Sequence, residues 1–79
     1  MGTYTQRKRF EDQGSAEETA ANFHGPGFHV PGVNLETWIV ADDSGCWLYV
    51  RQTGDRITAD TPSDPGAILP DYELFEVGA

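Results

Sequence analysis

Leu35-Glu36-Thr37-Trp38-Ile39-Val40-Ala41 and Cys46-Trp47-Leu48-Tyr49-Val50-Arg51-Gln52, separated by Asp42-Asp43-Ser44-Gly45, read as two alternating strands joined by a four-residue turn. On the second run Cys46, Leu48 and Val50 point one way and Trp47, Tyr49 and Arg51 the other; on the first, Leu35, Thr37 and Ile39 oppose Glu36, Trp38 and Val40. Both faces therefore carry bulky side chains. That pattern suits a central hairpin with a helix or loop on one side and aromatic cover, or a partner, on the other.

Working outward, Thr53-Gly54-Asp55 reads as a second tight turn into a shorter strand at Arg56-Ile57-Thr58, which would make a meander. Residues 60–70 hold three prolines and read as loop, and Tyr72 to Val77 reads as a last strand. On the N-terminal side, residues 3–10 have β-formers at the ends and Arg7-Lys8-Arg9 in the middle, which suits a short edge strand guarded by charge. Ser15-Ala16-Glu17-Glu18 fits a capping box, so a helix is expected from Ala16 to His24, with Ala16, Ala20 and Phe23 on one face. His24 to Gly32 contains two prolines and is expected to be a structured loop. The expected fold is α+β: one domain over residues 1–79, an antiparallel sheet of four to five short strands with one short helix near the N-terminus.

Composition bounds the chemistry. At 79 residues the core is thin, and the lone Cys46 cannot form an intramolecular bridge. Thirteen acids against five bases give a net charge of −8, which opposes direct nucleic-acid binding. The imbalance is polarised, because residues 11–79 hold two bases and all thirteen acids. No run is long and apolar enough to span a membrane, Gln6 stands where a myristoylation pattern needs Ser or Thr, and the expected location is the cytosol.

Candidate chemistries fail on spacing. His24 and His29 lie in a Pro/Gly loop with only Cys46 as a third ligand, so no metal is expected. Cys46 alternates with Leu48 and Val50 and should be inert in the core. Gly25-Pro26-Gly27 lacks the Lys and Ser/Thr of a phosphate loop, and Asp42-Asp43-Ser44-Gly45 lacks the closing glutamate of a calcium loop. No cofactor and no enzymatic activity are expected.

What remains is charge distribution. Asp60, Asp64, Asp71, Glu73 and Glu76 follow Ile57 with no base among them, and strand residues two apart, such as Asp71 and Glu73, project on one face about 6.6 Å apart. Such a row can imitate phosphates. The expected contacts with a basic, nucleic-acid-binding protein surface are these five acids with Glu36, Asp42, Asp43 and Trp47. The alternative is a protein-binding module whose aromatic surface is Trp38, Trp47 and Tyr49. In size, acidity, lack of catalytic motifs and α+β reading, the chain resembles the small acidic anti-CRISPR proteins that phages use against type I CRISPR surveillance complexes. The resemblance implies a stoichiometric inhibitor in the host cytosol that binds a basic DNA-recognition surface of the complex and blocks target-DNA binding, and it transfers no individual residue; the chain is expected to be a monomer.

Overall fold

A computed structural model describes residues 2–25 and 32–78. It contains strand β1 (Gly2–Phe10), helix α1 (Gln13–Phe23), strands β2 (Val33–Asp42) and β3 (Gly45–Gly54), a single 3-10 turn at Thr61–Ser63, and strand β4 (Glu73–Gly78). The four strands form one antiparallel sheet in the order β2-β3-β1-β4. The α+β expectation holds, with four strands and one helix.

The hairpin forms as the alternation requires, with Ile39 opposite Leu48 and unbroken pairing from Val33↔Gly54 to Asp42↔Gly45. Gly45 is required at its start, because a Cβ there would meet the Phe10 carbonyl oxygen at 2.4 Å. Cys46, Leu48 and Val50 are buried, and Ala16 and Phe23 of α1 close over them with Phe10, Ile39, Leu69 and Tyr72 at the margin. The helix lies against β2 and β3, so the sheet is covered on one face.

Three expectations are corrected. Residues 56–58 form no strand; Ile57 donates to the Gly54 carbonyl in a turn (3.2 Å) and is buried. Both sides of β3 are already taken, by β2 and β1, so no third partner can pair there. The basic N-terminal strand is central, not an edge, and the sheet is no meander. Arg7 and Arg9 alternate with Lys8 across the sheet, and Lys8 lies over the Phe10 ring at 4.9 Å. The helix starts earlier than expected because Asp12, not Ser15, caps it: Asp12 is extended, its Oδ1 accepts the Ser15 N–H at 2.7 Å, and its Oδ2 accepts the Ser15 hydroxyl at 3.0 Å. A carboxylate three residues upstream takes the role and occupies Ser15 as its donor.

The loop between Ile57 and β4 is stitched to β1. Gln6 is fully buried; its Nε2 donates to the Ala67 carbonyl (3.3 Å) and its Oε1 accepts the Leu69 N–H (2.9 Å). Tyr4 Oη donates to the same Ala67 carbonyl at 3.0 Å, and burial pushes its pKa up. One side-chain amide and one phenol hydroxyl thus replace a strand ladder where the prolines prevent one.

Candidate functional site: the open sheet face

Residues directly opposite one another in neighbouring strands share a face. The pairings place Trp38, Tyr49 and Arg7 in one row, Val40, Trp47 and Arg9 in the next, and Glu36, Arg51, Thr5 and Glu76 in the row on the other side. This is the face opposite α1, and no described element covers it.

Its side chains form a continuous lattice. Trp38 stacks on Tyr49 with the rings parallel and their centroids 5.2 Å apart, and Phe75 meets the other side of Tyr49 edge-on at 4.9 Å. The two flanking rings explain why Tyr49 is buried; Thr5 in the neighbouring row is buried too, and Phe75 and Val40 are each 46% exposed. The Arg7 guanidinium lies 4.2 Å from the Trp47 ring and 4.9 Å from Phe75, Arg9 lies 5.3 Å from Trp47, and Arg51 lies 4.7 Å from Trp38. Planar, weakly hydrated guanidinium groups can stack flat on a ring while still forking to a carboxylate, which a compact ammonium cannot.

Every one of these arginines also meets a carboxylate. Arg7 bonds Glu73 at 2.6 Å, Arg9 grips Asp42 with two nitrogens, and Arg51 lies 3.9 Å from Glu36. Arg7 is held protonated by its hydrogen bonds to Tyr49 Oη and Glu73. The Asp42 carboxyl is held below the usual carboxylate range by the bond from Arg9 and then by the Ser44 backbone N–H. Three of the five bases and four of the thirteen acids lie on this face. The face is close to neutral, so nearly all the net −8 is carried elsewhere.

The expected acidic contacts are therefore divided. Glu36, Asp42 and Glu73 are engaged by arginines; Glu76 shares the open face; Asp43 lies in the β2–β3 turn; Asp60 and Asp64 flank the 3-10 turn; Asp71 precedes β4 in a left-handed conformation (φ 69°). They make no single row. Of the expected aromatic residues, Trp38, Trp47 and Tyr49 do share the face, although Tyr49 is covered. Phe75 joins them. A bulge between Thr5 and Gln6, paired to Glu76 and Leu74 respectively, leaves Phe75 as the extra residue and changes the phase of alternation along β4.

His24 Nε2 lies 2.8 Å from Thr37 Oγ1, His29 falls outside the described residues, and no three ligating side chains gather among the described residues. Cys46 is buried, its thiol 3.6 Å from the Asp12 carbonyl oxygen. No helix among the described residues is long and apolar enough to cross a membrane. Comparison with protein-family models, with curated proteins and with solved structures returned no match.

Proposed function

We propose that this chain is a non-catalytic interaction protein that binds a protein partner through its open sheet face, with its unpaired acids steering it onto a basic surface. The observation that carries the reading is the lattice of Trp38, Tyr49, Trp47 and Phe75 interleaved with Arg7, Arg9 and Arg51, left uncovered while α1 covers the other face. Trp, Tyr and Arg are the residue types that dominate binding energy at interfaces, and the ring and arginine positions are held in place before any partner arrives. Nucleic acid is a poor ligand for this face. Its cations are already engaged by carboxylates, and the body repels phosphate.

The partner that fits is a protein with an apolar patch bordered by Lys and Arg, as on surfaces that themselves handle nucleic acid. A type I CRISPR surveillance complex is one such partner, and occupation of its DNA path would block target binding without chemistry. The roles divide by physics: rim charges set the association rate and its salt dependence, and desolvated rings set dissociation.

The test is competition with target DNA for a purified surveillance complex, at low and high salt. Trp47→Ala should raise the dissociation rate at both salt levels. The triple change Asp60→Asn, Asp64→Asn and Asp71→Asn should lower the association rate and flatten its salt dependence, leaving dissociation unchanged. Abolition by the charge triple with Trp47→Ala silent would replace this reading with acidic mimicry alone.

A further inference from the structure

The two edges of the sheet are built differently. β4 is six residues long, is interrupted by the bulge at Phe75, and follows Pro70 and the left-handed Asp71. Short length and a bulge are devices that stop an edge from recruiting another strand. β2 has neither. It runs ten residues in unbroken register with β3, contains no proline, lysine or arginine, and among the described residues has one neighbour in the sheet. In an antiparallel pair, alternate backbone N–H and C=O groups point away from the partner, so a ladder of unpaired groups runs along its outer side.

The side chains along that edge state what could pair with it. Glu36, Trp38, Val40 and Asp42 are two apart and face the open side of the sheet; Arg51 and Arg9 approach Glu36 and Asp42 only from strands inward of β2, both carboxylates stay partly exposed, and no base lies on β2 or on the Asp43-Ser44 turn. A second copy would bring another body of net −8 to an acidic edge.

We propose that β2 accepts an extended segment of the partner as a fifth strand, with lysine or arginine opposite Glu36 and Asp42 and apolar residues opposite Trp38 and Val40. The inference rests on the reading of the open face as the interaction surface and adds a main-chain contact to it. The ladder supplies affinity, and the alternating side chains supply selection and extend the Trp38 stack by one strand.

The probe is the blocked synthetic peptide Lys-Thr-Val-Thr-Tyr-Thr-Lys, which in antiparallel register sets its lysines opposite Asp42 and Glu36 and its tyrosine opposite Trp38. On binding, hydrogen exchange should slow at alternate amides of residues 36–42 and not at 73–78. Two further peptides carry N-methyl groups on alternate residues, one set on each side of the backbone. The set that faces β2 should weaken binding by at least about tenfold, and the other set should be tolerated. A peptide with Glu in place of Lys should bind at least about tenfold more weakly, as should the parent peptide with a Val40→Lys protein, whose exposed substitution leaves the core intact. Equal affinity for the two methylated peptides, protection at β4 instead, or a protein dimer dispersed by Val40→Lys would overturn the proposal. If both methylated peptides bind alike while Trp47→Ala still weakens the partner, the sheet-face reading stands and this one falls.

Discussion

The two faces of the one sheet use different chemistry with side chains drawn from the same strands. On the covered face, Leu48 and Val50 are fully buried against the helix, and Gln6, a polar side chain fully buried beside them, is matched to both backbone groups it meets. On the open face, the same strands present rings and guanidinium groups that satisfy one another while staying partly in contact with water. The first arrangement draws its energy from removal of surface from water; the second retains surface and fixes its shape. The contrast teaches that core burial and the packing of an uncovered face are separable here, residue by residue along β3.

The largest effect should come from the covered face. Leu48→Ala, at 0% exposure, should lose about 2–5 kcal/mol in urea denaturation. Next comes Gln6→Ala, which strands the Leu69 N–H and releases the loop; a loss of about 1–3 kcal/mol is expected, with faster exchange at the Leu69 amide. At the helix start, Asp12→Ala should lose about 0.5–2 kcal/mol and Ser15→Ala less, which inverts the order a Ser15 cap would give. On the open face, Phe75→Ala should change stability by only about 0.5–1.5 kcal/mol, because it removes one edge-on ring contact from a half-exposed position. A loss on Phe75→Ala as large as that on Leu48→Ala would erase the distinction between the faces.

The smallest effect is the acid response of the Arg9–Asp42 pair. A carboxyl whose folded pKa is depressed stabilises at neutral pH, and that contribution is lost as pH falls through the depressed value. Wild type should thus lose stability towards low pH more than Asp42→Asn does, and parallel curves below about pH 4 would remove the pair from the account.

How much of this was legible depends on range. The β2–β3 hairpin announces itself, because two β-branched and aromatic runs meet a turn signal within eighteen residues. The place of β1 between β3 and β4 does not, since it is fixed by pairs such as Arg7↔Tyr49 and Arg7↔Glu73 that no local pattern encodes. Residues 56–58 have a strand-like sequence, but both sides of β3 are already taken. Trp38, Trp47 and Tyr49 could be put on one face by period-two counting alone. Phe75 could not, because the bulge beside it breaks the count. The acids looked like one surface because they are near in sequence; the arginines that engage Glu73, Asp42 and Glu36 come from β1 and β3.

The central claim is that the open face, not the helix, meets the partner. It is tested most directly by placing a photo-crosslinking benzoylphenylalanine, one at a time, at the exposed positions Phe75 and Val40 of that face and at Glu17 and Ala21 of α1, each bound to the same purified partner. The account predicts covalent adducts from Phe75 and Val40 and none from the helix positions. Adducts from α1 with none from the sheet would contradict it.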